Sequence, residues 1–417
     1  MNFEVLYSWV KDLPIVDWHN HLDLVALAED KPLGSLYEVW VKSDPYKHRA
    51  MRICGEPERV ITGEASEVEK WDAWTRTLPK LVGNPLFAWA EQELAFLRGT
   101  YPPSEASAEG GSMRGGNGEW WREVKNISLG EWTPSKMLKK FGVEYLSPCV
   151  GAGELLTGFT RFPGLIDARG INSVNSGNPV QKTYKVVPSL RMNAVDEISV
   201  EGLEKFNAAG CRVVDISVDD ISQLTTHYSQ LSTVVAFAAT HGWTMLLHMG
   251  ALRETSARLR ALAGPAGGFA GMRAPVDPMA VAAYLNELEK EGALPRTILM
   301  SLNPEAHAEL AVLAGSFNGE GMPGKVQLGP AWWWCDHEEG IRDALEKSAA
   351  YGVLSTFVGM TTDSRSLLSF VRHDYFRRVL CKWVAEKVSS GAFPADELLL
   401  RPILENICYK NAKGMVS

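Results

Sequence analysis

Cysteine is scarce and scattered. The six in the 417-residue chain are Cys54, Cys149, Cys211, Cys335, Cys381 and Cys408, with no CxxC pair among them. That pattern excludes a disulfide framework and a zinc knuckle, and fits reduced thiols. No run of about 18 consecutive apolar residues, the length a membrane helix needs, is present. The opening MNFEVLYSWVKDLP lacks a basic start followed by a long apolar stretch. Neither a membrane span nor a signal peptide is therefore expected, and the expected location is cytoplasmic. Excess positive charge is missing too: 42 Lys and Arg stand against 50 Asp and Glu, a net charge of -8. This leaves no general basic surface for nucleic acid and no polybasic patch for a membrane, so a small molecule is the expected partner. The 14 tryptophans are compatible with contacts in a homo-oligomer and equally with a filled core.

What is present is an ordinary globular composition, 46% hydrophobic and 22% charged, patterned as alternating strands and helices. Short runs rich in Val, Ile and Leu and bounded by turn residues predict buried parallel strands. They fall at Ile15–Leu22, Val143–Val150, Tyr184–Arg191, Cys211–Val218, Trp243–Gly250, Arg296–Asn303, Lys325–Trp334 and Ser355–Asp363. Amphipathic helices are expected between the later ones, at Thr226–His241, Asp277–Gly292, Glu305–Ala314 and Glu338–Tyr351, with Ser366–Ser390 and Pro394–Lys413 closing the chain. Eight strands alternating with helices favour an α/β (β/α)8 TIM-type barrel over an open doubly wound sheet. The interval between Leu22 and Val143 is too long for one crossover. Its Trp, Leu and Ala at helical spacing, broken at Pro57, Pro79 and Pro85, predict a helical insertion after the first strand. The expected organisation is a barrel from residues 1–31 and 132–417 and a mostly helical subdomain at 32–131. That subdomain carries a Gly/Ser/Pro-rich loop at Gly99–Glu119, and Gly158–Lys182 is similarly irregular.

The chemistry-bearing residues cluster where strands are expected to end. In Asp17-Trp18-His19-Asn20-His21, strand alternation would send His19 and His21 into the barrel and Trp18 and Asn20 away from it. Two imidazoles on one face can reach one divalent ion, though two satisfied histidines at a strand end would read the same way. Asp363, after the eighth strand, would lie beside the first and complete a metal site; its other reading is an N-cap for the helix that follows. Arg365 supplies a fixed charge for a carboxylate or an enediolate oxygen, or a salt bridge in the barrel mouth. His248, closing the fifth strand, reads as a third ligand, a substrate hydrogen-bonder or a core histidine. Arg191, ending the third, reads as a clamp for an anion. In Trp332-Trp333-Trp334, at least one indole is expected to wall the pocket, and Trp332 is the candidate for substrate contact.

These residues resemble the uronate (glucuronate) isomerase family of the amidohydrolase superfamily, over almost the whole chain. The resemblance rests on VDWHNHL (Val16–Leu22), YEVWVKSDPYKHRAMR (Tyr37–Arg52), NPLFAWAEQEL (Asn84–Leu94), HMGALR (His248–Arg253) and LPRTILMSLNP (Leu294–Pro304). It continues in VQLGPAWWWCD (Val326–Asp336), GMTTDSRSLLSFVRHDYFRR (Gly359–Arg378) and ICYKNAK (Ile407–Lys413). It implies a distorted barrel and one divalent metal ion on His19, His21 and Asp363, with zinc favoured. It also implies an aldose–ketose isomerase that converts D-glucuronate to D-fructuronate and D-galacturonate to D-tagaturonate through a cis-enediol. Asp363 would then assist ring opening and proton transfer, Arg365 would steady the enediolate, Tyr46 would offer a hydroxyl, and Arg191 would hold the C6 carboxylate. Three positions depart from the family pattern, with Pro45, Ala88 and Ile216 standing where histidines are usual. His48 is the candidate to replace the first of these at the substrate. Three alternatives remain: a metal-dependent hydrolase of the same superfamily, a related sugar-acid isomerase with an altered substrate, or a non-catalytic sugar-acid binder that kept the fold and lost turnover.

Overall fold

A computed structural model describes residues 1–100, 128–151, 153, 166–167, 170–171, 184–319 and 321–417. The Gly/Ser/Pro-rich loop from residue 101 onward lies outside the described residues. So does most of Gly158–Lys182. Among the described residues the central sheet has eight parallel strands: the short Lys185–Val186 pairs with the second off the main path, and the other seven neighbour one another in chain order. Those seven are β1 (Ile15–Asn20), β2 (Val143–Gly151), β3 (Ser189–Asn193), β4 (Val213–Val218), β5 (Thr244–Met249), β6 (Arg296–Ser301) and β7 (Val326–Leu328). Helices cover the strands from outside, and all six residues of β4 and of β5 are buried. Burial on both faces is why these segments read as continuous apolar runs. Crossover helices lie at Tyr228–Thr240, Pro278–Lys290, His307–Gly315 and Glu338–Tyr351. A 19-residue helix, Val371–Ser389, packs against the seam of the sheet. No helix among the described residues is long and apolar enough to cross a membrane.

The result is a distorted barrel, and its departures from the expected strands have local causes. Pro188 has no amide proton for a ladder, so the third expected strand splits into Lys185–Val186 and β3. The seventh ends at Leu328, and Trp333–Cys335 forms a 3-10 turn in which Trp333 adopts φ 50°. The eighth does not form. Leu354–Thr356 is a 3-10 turn, and beyond it Gly359 sits at φ 74°, where a Cβ would lie 2.0 Å from the Ile407 carbonyl oxygen. Such a backbone interrupts a regular ladder, so buried side chains and two isolated backbone bonds close the barrel instead.

That closure centres on Asp17, which is fully buried. Its carboxylate accepts from the Thr362 amide at 3.0 Å, Thr361 Oγ1 at 3.0 Å and Asn20 Nδ2 at 3.1 Å, and lies 3.0 Å from His373 Nε2. Burial alone would raise its pKa, but His373 and these donors outweigh burial and hold it below the ordinary value. Two backbone bonds finish the seam: Asp363 N–H to His19 O at 3.1 Å, and His21 N–H to Ser364 O at 2.8 Å. The β1–β2 register slips between Asp17 and Asn20, and the slip overturns simple alternation on β1. Trp18 does not point away. It packs with Val213, Leu246 and Ile298 in the cluster that fills the barrel.

Helices Leu36–Trp40 (α1), Pro45–Ile53 (α2), Glu67–Thr77 (α3) and Pro85–Arg98 (α4) follow β1 and bury Trp40, Trp74 and Trp89 in one apolar cluster. Each has a side-chain N-cap: Ser35, Asp44, Ser66 and Asn84. Replacing Asp17 by Ala strips an acceptor from several buried donors at once. The expected cost is about 3 kcal/mol of unfolding free energy, measured by urea denaturation, with Asp17→Asn costing less.

Candidate metal centre and substrate cavity

His19 is the penultimate residue of β1, and His21 lies just beyond its end. Their Nε2 atoms each lie 3.1 Å from the same oxygen, Asp363 Oδ1. Asp363 reaches that point through a left-handed backbone, φ 47°, uncommon for any residue but glycine. Strain of this kind persists only where surroundings impose it, and here the bond from its amide to His19 O does so. The helix-cap reading of Asp363 is overturned. Ser366 takes that role, its hydroxyl accepting from the Leu368 amide.

The donor chemistry fits a divalent cation. Burial alone would raise the Asp363 pKa, but hydrogen bonds from His19 and His21 outweigh it and hold the group well below the carboxylate range. Burial pushes His21 below its ordinary value, toward the neutral form a ligand requires. At His19 burial is outweighed by the Cys149 sulfur and the carboxylates of Asp215 and Asp363, which raise it well above the ordinary value. The pocket thus calls for positive charge at the spot where the three donors meet. Two further ligand-type groupings share His19: one with His21 and Cys149, the other with Asp215 and His248, each with donor atoms within 4.8 Å of one another.

Behind the histidines lies a charged hub that sequence reasoning passed over. Asp215, on β4, is fully buried. Its Oδ1 lies 2.7 Å from His248 Nδ1, and its Oδ2 accepts from Arg191. The ladder sets this up, because Arg191 on β3 pairs in register with Asp215, and Ser217 pairs with His248 on β5. Burial opposes the charge on Asp215, but Arg191, His248 and His19 outweigh it and hold the pKa well below normal. A lone Asp in the apolar run VVDISV was the available signal, since a buried carboxylate needs partners. His248 also stacks edge-on against Trp332, with ring centroids 4.6 Å apart.

These groups floor a cavity of about 310 Å³, at the small end of the range for ligand sites. His19, His21, Arg191, His248, Trp332 and Asp363 line its inner part. Arg365 is exposed at the mouth and makes no ion pair among the described residues. The N-terminus of α2 forms one wall through Asp44, Pro45 and Tyr46. The Tyr46 ring meets Trp334 and Trp89 edge-on at 5.1 and 5.8 Å, and burial keeps its hydroxyl protonated far above neutrality. The segment Pro265–Ala270 continues the wall where it packs on α2. Gly268 lets it approach, since a Cβ there would meet the Pro45 carbonyl oxygen at 2.4 Å.

His48 is not among the lining residues. With Pro45 at the first turn of α2, His48 faces inward, and both its ring nitrogens are buried without hydrogen-bond partners. Burial lowers its pKa to about 4, so it is an uncharged interior residue away from the cavity lining. Of the three departures from the family pattern, only Pro45 borders the cavity. Ile216 packs in the layer between sheet and helices, and Ala88 lies on α4 outside the lining.

A second buried charge cluster abuts this wall. Arg372 stacks over Trp89 at 4.0 Å and over Tyr46 at 5.1 Å, and lies 3.5 Å from Asp336. Neither residue was singled out in the sequence.

A family model described as glucuronate isomerase matches residues 1–147 and 189–416. The uronate isomerase of Geobacillus thermodenitrificans is 34% identical, with 98% of this chain and 95% of that protein covered. The uronate isomerase of Caldicellulosiruptor bescii is also 34% identical, over 98% and 96%. Among solved structures, a uronate isomerase from Thermotoga maritima superposes with a TM-score of 0.78 at 26% identity, covering 100% of this chain and 97% of that one. A glucuronate isomerase from Caulobacter crescentus superposes with a TM-score of 0.76 at 21% identity, over 99% and 93%, and shares the fold.

Asp336 supplies a pH test of the buried cluster. Burial raises its pKa to about 7 despite Arg372, so folding takes up a proton between the unfolded carboxylate value and neutrality. The native state therefore gains stability as pH falls from above 7 toward 4, and carries a penalty above 7. Asp336→Asn should remove that penalty, raising the melting temperature at pH 8 relative to wild type and flattening its pH dependence between 4 and 7.

Proposed function

This chain belongs to the glucuronate isomerase family, and from that premise we propose how its cavity isomerises a hexuronate. The reaction interconverts an aldose acid and a ketose acid, D-glucuronate with D-fructuronate and D-galacturonate with D-tagaturonate. It requires ring opening, loss of the C2 proton, a cis-enediol and return of a proton to C1. The observation that carries the assignment of roles is the convergence of His19 Nε2 and His21 Nε2 on Asp363 Oδ1 at 3.1 Å each.

His19, His21 and Asp363 hold one divalent cation on this reading, and zinc suits two imidazoles and a carboxylate best. When bound, that cation is a Lewis acid toward the carbonyl and hydroxyl oxygens of the open-chain sugar. Asp363, kept ionised by its two histidine partners, accepts the hydroxyl proton released on ring opening and moves protons beside the sugar's first two carbons. Arg365, unpaired among the described residues, offsets the negative charge of the enediolate. Tyr46 stays a hydrogen-bond donor throughout, because burial keeps its hydroxyl intact. Arg191, held rigid by Asp215, receives the C6 carboxylate, and His248 and Trp332 shape the inner wall around the carbon chain. The hydrolytic alternative gives way to the family assignment.

The test is to incubate the metal-replete protein with D-glucuronate and, separately, D-galacturonate in D2O and follow the C1 and C2 protons by NMR. Ketose carrying solvent deuterium at C1 is the expected result. Unchanged spectra with both sugars at high enzyme concentration would overturn the reading, and turnover of only one identifies the substrate.

A further inference from the structure

The thiol of Cys149 sits where a metal-binding histidine ordinarily finds a carboxylate or a carbonyl. Its Sγ lies 3.2 Å from His19 Nδ1, 3.5 Å from Asp215 Oδ2 and 3.3 Å from Ser189 Oγ. Asp215 is the nearest carboxylate to His19 Nδ1, but at 3.7 Å it is beyond hydrogen-bonding distance. Its Oδ1 meets His248, and its Oδ2 meets both Arg191 and the Cys149 thiol. The ladder brings the sulfur here, since Cys149 on β2 pairs in register with Ser189 on β3.

We propose that Cys149 is a positioning residue for the metal centre, its sulfur accepting the His19 Nδ1 proton and so fixing the ring with the Nε2 lone pair toward His21 and Asp363. Proton placement closes without a leftover group. The Cys149 S–H donates to Asp215 Oδ2, the sulfur accepts from His19 Nδ1–H, and the Ser189 hydroxyl approaches the same sulfur. The hydrogen bond at one imidazole nitrogen decides which tautomer the other nitrogen presents. Partners of this kind typically carry about 10- to 100-fold in metal affinity. Direct ligation by Cys149 together with Asp363 is disfavoured by direction: the sulfur lies on the Nδ1 side of His19, and Asp363 Oδ1 on the Nε2 side. The inference rests on the reading that His19, His21 and Asp363 hold a metal.

The experiment compares wild type, Cys149→Ala and Cys149→Ser, each checked for folding by urea denaturation. Zinc affinity by chelator competition should fall about 10- to 100-fold in Cys149→Ala and recover most of that in Cys149→Ser, whose hydroxyl can still accept. In the metal-free proteins labelled with 15N-histidine, taken to a pH at which His19 has lost its imidazolium proton, the His19 Nδ1–H tautomer should dominate in wild type and the Ser variant and lose dominance in the Ala variant. Unaltered affinity and tautomer in Cys149→Ala would overturn the proposal. So would a thiolate-to-cobalt charge-transfer band in the Co(II)-loaded wild type, which would make Cys149 a ligand. Failure of the wild type to bind any metal would sink the metal reading itself, and the tautomer measurement would still decide the role of Cys149.

Discussion

The barrel is closed by a buried carboxylate where an eighth strand would otherwise stand. Asp17 gathers the Thr362 amide, the Thr361 hydroxyl and His373 onto one side chain, and so ties the segment after Gly359 to β1. Because that segment is not bound by a regular ladder, Asp363 is free to take a left-handed backbone and to turn its carboxylate onto His19 and His21. An ordinary strand would have alternated its side chains across the sheet, with no such turn. Structure and site are coupled at this seam: the two backbone bonds that close it belong to Asp363 with His19 and to His21 with Ser364.

A second constraint is electrostatic. Four ionisable side chains, His19, Arg191, Asp215 and His248, are packed below the cavity at a depth where an unpaired charge would be prohibitively costly. Asp215 solves this by accepting from Arg191 on one oxygen and meeting His248 on the other. The arrangement fixes both side chains before a substrate arrives, and preorganisation of this kind spares reorganisation during reaction. On the opposite side, Lys47 with Asp44 and Arg372 with Asp336 support the wall that α2 presents. Pro45 opens that helix behind the Asp44 cap, and so sets the position of the wall.

Much of this was legible in the sequence, for physical reasons. Seven strands announced themselves because burial on both faces forces apolar runs, and the insertion announced itself through helical spacing of its tryptophans. His19, His21 and Asp363 were legible because strand ends are where barrel chemistry gathers. The rest was hidden by local geometry. The eighth strand failed because Gly359 adopts a positive φ against the Ile407 carbonyl, a contact between residues far apart in sequence. Trp18 was assigned to the wrong face because the β1 register slips, which alternation cannot foresee. His48 was placed at the substrate from its spacing to Pro45, but the helix starting at that proline turns it into the interior. Asp215 and Cys149 were overlooked because their importance comes from neighbours on adjacent strands, and a single strand read alone does not reveal them.

The central claim is that one cation is held where the first strand meets the closing segment. The most direct measurement is metal content after equilibration with zinc and removal of excess, for wild type, His19→Ala and Asp363→Ala, with far-UV circular dichroism as the control for folding. The account predicts one tightly held equivalent in the wild type and its loss in both folded variants. Wild-type occupancy in either variant would contradict it.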